Sequence, residues 1–226
     1  MLEGKSETTE TEETQPEQLV TIILTTTVFP DLKKLIFQSN PAERIATYVK
    51  SFAQWIQMTN FRIVIVENTG YEFQEIQSMT TNSDRIEFIS LNNNLLESYS
   101  KGETELISIN YAFTHSKLLQ NSDFIVKITG RFFVPGLVEY LRNIDVTQFE
   151  ALRQFEGDRC EMVGARKDHF HIIFSQSLLD DNAQYCGHVE TLYQQRIAKC
   201  KSVLVCPKFE IQPTQRGGED QIYTYI

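Results

Sequence analysis

The stretch Asp123-Phe124-Ile125-Val126-Lys127-Ile128-Thr129-Gly130-Arg131-Phe132-Phe133 carries the most chemistry in this chain. Phe124, Ile125, Val126 and Ile128 are β-branched or aromatic, in a short run bounded by polar residues, which predicts a buried strand. The run breaks off at Thr129-Gly130-Arg131, so a cation and a close-approach backbone stand at the end of a strand. Ligands of open α/β sheets bind at the carboxyl ends of strands. The tenant expected there is an anion, first of all a phosphate. The plain alternative is a buried strand followed by a surface arginine.

Histidine and cysteine chemistry is weaker. His169 and His171 are two apart, at the start of a predicted strand Phe170–Phe174 and so on one face. Two histidines without a visible third ligand make a poor metal site. Cys160, Cys186, Cys200 and Cys206 form no CxxC pair, and Cys200 and Cys206 have no histidine nearby. Free thiols in a reducing cytosol are expected, and hence a cytoplasmic protein.

The elements that must position the strand end follow from the hydrophobic pattern. Leu19–Val28 is a near-continuous apolar and β-branched run, a central strand closed by Pro30. Asn40-Pro41 reads as a helix cap and first position, before Ile45, Tyr48, Val49, Phe52, Trp55 and Ile56 at helical spacing. Phe61–Val66 is a second strand ending in the turn Glu67-Asn68-Thr69-Gly70, so the first eighty residues hold a βαβ unit. A weak helix near Phe73–Met79, a strand Ile86–Leu91, a loop Asn92-Asn93-Asn94 and a helix from Thr104 to about Leu119 lead to the strand at 123–128. This alternation predicts a doubly wound, mostly parallel α/β sheet with helices on both faces. Beyond Arg131 it degrades. Met162–Ala165 is a short strand, Asp180–Lys201 mostly helical, Val203–Val205 a strand, and Arg216-Gly217-Gly218-Glu219-Asp220 a flexible polar loop.

Bulk composition is that of a globular domain: 226 residues, 41% hydrophobic and 23% charged. A net charge of −9 argues against a nucleic-acid partner, which would need phosphate neutralisation. Part of that charge sits in residues 1–17, where Glu3, Glu7, Glu10, Glu12, Glu13 and Glu17 face only Lys5. That segment lacks the apolar residues to offset its ordering entropy and reads as a disordered acidic tail. No apolar run is long enough to span a bilayer. Residues 18–226 are expected to form a single domain, with a change of character near residue 130.

The order of features resembles a GT-A glycosyltransferase, an enzyme class that uses nucleotide-sugar donors. The Thr-rich end of the first strand (Thr25, Thr26, Thr27), the helix and the strand FRIVIVENTG resemble the nucleotide-binding half of that fold. The segment SYSKGETELISINYAFTHSKLLQNSDFIVKITGRFF resembles small bacterial and viral sugar transferases in which a Lys-Gly-Glu turn opens a helix and the next strand ends in Thr-Gly-Arg. The resemblance covers about residues 19–133 and implies a donor-binding half (18–133) and a less regular acceptor and catalytic half (134–226). It implies donor contacts at Thr26, Thr27 and Glu67, the last as an acceptor for base or ribose; the alternative is that Glu67-Asn68 simply caps a turn.

One departure matters. GT-A enzymes commonly carry Asp-x-Asp where this chain has Lys127-Ile128-Thr129-Gly130-Arg131, with no aspartate. A metal on Asp-x-Asp stabilises the leaving diphosphate, but fixed Arg or Lys side chains serve the same end. Donor binding is therefore expected from Lys101, Gly102, Lys127, Thr129 and Arg131. Arg131 has the fork that pairs two phosphate oxygens, Gly102 allows close backbone approach, and a helix start supplies amide donors. A solvated loop lysine is the alternative for Lys101. No cofactor is required on this reading, with at most weak Mn²⁺ or Mg²⁺ dependence. An inverting transfer needs a general base. Glu190 and Asp220 are the candidates, although Glu190 also suits a helix N-terminus. Arg216-Gly217-Gly218 would fold over the diphosphate as a lid, the alternative being a plain glycine turn. The partners implied are a nucleotide sugar, UDP by family frequency with GDP open, and a glycan or other hydroxyl acceptor.

Three other classes compete. A catalytically idle nucleotide-sugar-binding domain would share the fold and also lack Asp-x-Asp. A nucleotidyltransferase would carry a glycine-rich basic loop after the first strand, where this chain has Thr25-Thr26-Thr27-Val28-Phe29-Pro30. An interaction module built on the acidic tail leaves residues 101–131 unexplained. Dehydrogenase and P-loop chemistry fail for want of GxGxxG and GxxxxGK[ST].

Overall fold

A computed structural model describes residues 19–30, 36–81, 83–91, 100–218 and 220–226. The expected acidic tail and the Asn92-Asn93-Asn94 loop lie outside them. The central strand β1 (Val20–Thr26) pairs in parallel with β2 (Arg62–Glu67) on one side and β4 (Phe124–Thr129) on the other, and β3 (Ile86–Ser90) continues in parallel beyond β2. β6 (Met162–Arg166) joins β4 antiparallel, followed by β5 (Ala151–Arg153) and β7 (Val203–Val205). The sheet has seven strands in the order β3-β2-β1-β4-β6-β5-β7, and β8 (Glu210–Gln215) and β9 (Ile222–Tyr225) form a separate hairpin.

Strand alternation divides the core into two layers. Ile22 and Leu24 of β1, Ile63 and Ile65 of β2, and Phe124, Val126 and Ile128 of β4 pack against Tyr48, Phe52 and Trp55 of α1 (Pro41–Met58). Ile23, Val64, Val66 and Ile125 face the other way, onto Leu106, Ile109 and Phe113 of α3 (Lys101–His115). The helix starts are set by caps: Asn40 Oδ1 accepts from Ala42 N at 2.9 Å, and Ser100 Oγ accepts from Glu103 N at 3.1 Å. The weak helix near 73–79 is a 3₁₀ turn, Gln74–Ile76, running into α2 (Gln77–Thr80). The predicted helix to Leu119 is broken at Ser116, which caps α4 (Lys117–Gln120).

Two expectations for the C-terminal part are corrected. Phe170–Phe174 is not a strand but α6 (Phe170–Ile173), because its apolar residues pack into the α3 layer at helical spacing. His169 and His171 therefore do not share a face. His169 Nδ1 lies 2.8 Å from Asp168 Oδ1, while His171 sits edge-on to Phe113. Helix over Asp180–Lys201 shrinks to α7 (Val189–Ala198), since Leu179 and Tyr185 form a β-bridge across a tight turn. The remaining helix, α5 (Leu137–Arg142), follows the β4 segment. The polar residues 216–218 and 220 stand between β8 and β9, in a hairpin that the sequence pattern did not announce.

Candidate functional site

The parallel strands end side by side, with Thr26 opposite Glu67 and Thr25 opposite Thr129. Their side chains then diverge. Thr26 Oγ1 donates to Val66 O at 3.0 Å, and the Thr27 carbonyl accepts from Arg44 Nε at 2.6 Å. Glu67 is fully buried. Its Oε1 accepts from Val28 N at 3.0 Å and Thr69 Oγ1 at 2.5 Å, and its Oε2 from Thr69 N at 2.7 Å and Tyr71 N at 2.9 Å. Burial raises its pKa against the pull of those bonds. Four donors fill a carboxylate's acceptor capacity, so Glu67 ties the β1 loop to the β2 turn, and a nucleoside would have to displace one of them.

Lys127, grouped from the sequence with the donor contacts, points away from that edge. Alternation turns it, like Ile125, to the α3 side. It is fully buried, with Nζ 2.8 Å from Glu105 Oε1, 2.8 Å from the Cys160 carbonyl oxygen and 5.9 Å from the Tyr193 ring centre. Burial favours the neutral amine, but the Glu105 carboxylate outweighs it and the pKa is raised. Gly102 likewise serves packing. A Cβ there would stand 2.7 Å from Val189 Cβ, so its small size lets the start of α3 meet the start of α7.

Arg131 and Lys101 each lie against the tip of the C-terminal hairpin. Arg131 is 8% exposed, and its Nη1 donates to Gln38 Oε1 and to the Gln215 carbonyl, both at 3.3 Å. Gly217 lies on its guanidinium: a Cβ at that position would stand 2.5 Å from Nη2 and 2.7 Å from Nη1. The neighbouring Gly218 would place a Cβ 3.7 Å from Lys101 Nζ. Phe37 N donates to the Gly217 carbonyl at 3.0 Å and holds the tip down. Arg216 stands between two carboxylates, with Nε 3.9 Å from Glu161 Oε1 and Nη2 3.9 Å from Glu190 Oε1. Asp220 is exposed on the hairpin loop. Thr129 N donates to the Glu161 carbonyl at 2.8 Å, which places Glu161 next to the end of β4.

The sequence reading missed Arg44, Tyr48, Glu105 and Glu161. Arg44 and Tyr48 are four apart on α1, and Arg44 interrupts an otherwise apolar helix face; that interruption was the available signal. Glu161 directly precedes β6, a strand too short for a pattern. Among the described residues no three His, Cys, Asp or Glu side chains are grouped to hold a metal, and no helix is long and apolar enough to cross a membrane.

No protein-family model matches the chain, and no curated protein matches its sequence. Solved structures do match. A protein named as a nucleotide-diphospho-sugar transferase, from Desulfovibrio desulfuricans G20, superposes with a TM-score of 0.50 at 17% identity, over 84% of this chain and 80% of that one. TarS residues 1–349 from S. aureus give 0.50 at 12% identity over 83% and 57%. The bifunctional glycosyltransferase WbbM gives 0.54 at 9% identity over 86% and 40%, so this chain spans well under two thirds of the last two. The chain has a GT-A-like fold. At these identities the likeness is one of fold. Within the GT-A-like sheet, Lys127–Arg131 stands at the end of β4, where the sequence resemblance expects the Asp-x-Asp common in GT-A enzymes.

Proposed function

We propose that this protein transfers a sugar from a nucleoside diphosphate sugar, UDP-linked, to a hydroxyl acceptor, with Lys101 and Arg131 stabilising the leaving diphosphate. The observation that carries this reading is the hairpin tip laid over both cations, Gly217 on Arg131 and Gly218 by Lys101, at the carboxyl ends of β1 and β4. Arg131 is buried and Lys101 is exposed beside the tip; cations held at this edge stabilise the charge that develops as the sugar–phosphate bond breaks. Arg216–Gly218 is the lid, and it must lift for the donor to enter. In an inverting transfer Glu190 takes the acceptor hydroxyl proton. The acceptor oxygen bonds to the anomeric carbon, and the diphosphate departs with the electron pair of the broken bond. Glu190 is preferred to Asp220 because it shares Arg216 with Glu161 at the strand edge, whereas Asp220 faces solvent. A cation, Arg131, directly after β4 where Asp-x-Asp is expected supports a transfer with little or no metal dependence.

Calorimetric titration with UDP, GDP and their sugar conjugates, in EDTA and then in Mn²⁺, tests the reading on the native chain and Lys101→Ala. Binding in EDTA that weakens at least tenfold in the variant is expected. Binding that requires Mn²⁺ would sink the cation-clamp mechanism. Donor binding without hydrolysis or transfer to any acceptor would leave an idle binding domain on the same fold.

A further inference from the structure

Two guanidinium groups sit almost out of water beneath the hairpin tip. Arg44 is 5% exposed and Arg131 8%. Among the described residues neither has a carboxylate within ion-pair distance. They converge instead on one phenol: Arg44 Nη2 donates to Tyr48 Oη at 2.9 Å and Arg131 Nη2 at 3.4 Å, with Thr27 N also at 3.4 Å. Arg44 is fixed by two further bonds, Nε to the Thr27 carbonyl at 2.6 Å and Nη1 to the Gln38 carbonyl at 2.9 Å. Arg131 is not comparably satisfied: its bonds are long, and its buried Nε has no hydrogen-bond partner. Burying two cations with no carboxylate in ion-pair contact is costly, and a buried donor left unpaired calls for an explanation of its own. A phosphate would supply both the charge and the acceptor.

We propose that Arg44, Tyr48 and Arg131 form a phosphate seat under the 216–218 loop, in which Arg131 contacts a phosphate of the leaving diphosphate and Arg44 and Tyr48 are positioning residues. This rests on the donor reading above and adds two residues of α1 to it. Gly217 occupies the approach to Arg131, so lid opening uncovers the seat. The charged groups facing Tyr48 are Arg44 of its own helix and Arg131 after β4, and the Glu67 carboxylate at the end of β2 acts on Arg44. Burial pushes the Tyr48 phenol up, the charges of Arg131 and Arg44 outweigh it, and its pKa lies below the ordinary phenol value. An ionised Tyr48 and a bound phosphate would compete for the same two cations. Phosphate affinity must therefore fall as pH rises through the Tyr48 titration, and phosphate binding must push that titration upward.

The experiment is calorimetric titration of inorganic pyrophosphate into the full chain, native, Arg44→Lys and Tyr48→Phe, at about pH 7 and about pH 9.5. Thermal melting checks that each variant is folded. Each substitution is expected to weaken binding about tenfold near neutral pH, the worth of a hydrogen bond to a charged group. The native affinity is expected to fall at alkaline pH relative to Tyr48→Phe, in which the ligand's own titration is the same. Folded variants that bind within about twofold of native would overturn the seat, as would identical pH courses for native and Tyr48→Phe. If Tyr48→Phe does not fold, Arg44→Lys decides by the same titration. Nucleotide-sugar turnover is read separately. Pyrophosphate bound in the expected pattern by a chain that binds no nucleotide sugar would sink the transferase reading and keep the seat. Turnover indifferent to both substitutions would do the reverse.

Discussion

Replacing Lys127 by methionine separates a structural lysine from a donor-binding one. Methionine keeps the apolar stem and removes the ammonium. Among the described residues the loss leaves Glu105, 21% exposed, with Tyr193 Oη at 3.3 Å as its remaining close side-chain donor, and strips the Cys160 carbonyl of its 2.8 Å bond. Removing one partner of a fully buried pair costs about 3–5 kcal/mol. Partial exposure of Glu105 puts this site below that range, at about 2–3 kcal/mol. In a chain of this size that lowers the melting temperature by about 5–10 °C. Adding Glu105→Gln should recover part of the loss, because an amide no longer buries an uncompensated charge. The assay is thermal and urea unfolding of the native chain, both single variants and the double, with nucleotide-sugar titration of each folded protein. Donor affinity per folded molecule should stay within about twofold of native, since Nζ is turned to the helix side of the sheet. A Lys127→Met protein with native stability and a donor affinity reduced more than about tenfold would refute the reasoning and return Lys127 to the phosphate.

Glu190→Gln removes the proposed base while keeping its shape. The transfer rate should fall about 10²–10⁴-fold with donor affinity little changed, and equal losses in Asp220→Asn would displace the assignment. Gly102→Ala drives a methyl to 2.7 Å from Val189 Cβ, so it should cost about 1–3 kcal/mol on denaturant unfolding. Cys160 and Cys206 are buried, with thiols held up by burial, Cys206 to about 12. Both should resist a thiol reagent in the native chain and react on unfolding; rapid native labelling of either would contradict the packing.

What the sequence made legible was whatever a single periodicity carries. β1 through β4 and α1 announce themselves because parallel strands covered on both faces are apolar runs, and because Asn40-Pro41 marks a helix start. Phe170–Phe174 misled because an apolar pentapeptide fits a buried strand or a buried helical turn equally, and only the α3 layer decides between them. The direction of Lys127 was readable in principle, since it alternates with Val126 and Ile128, but nothing local says that Glu105, twenty-two residues earlier, waits on that face.

The proposed seat shows the same limit from the other side. Arg131 belongs to the strand that drew attention, but Arg44 and Tyr48 sit on a helix whose pattern says only that one face is buried. Gly217 belongs to a hairpin whose polar sequence reads as a loose tail. Local propensity fixes which element a residue occupies; the charge balance of a site is fixed by what the topology stacks on it. Here β1, α1, β4 and the C-terminal hairpin meet at one edge, and among the described residues two cations are buried there with no acid in ion-pair contact. A protein under no demand to bind an anion would gain stability by placing a carboxylate or an apolar side chain at that position. That none stands there among the described residues is the physical argument for a phosphate partner, and it holds whichever sugar the donor carries.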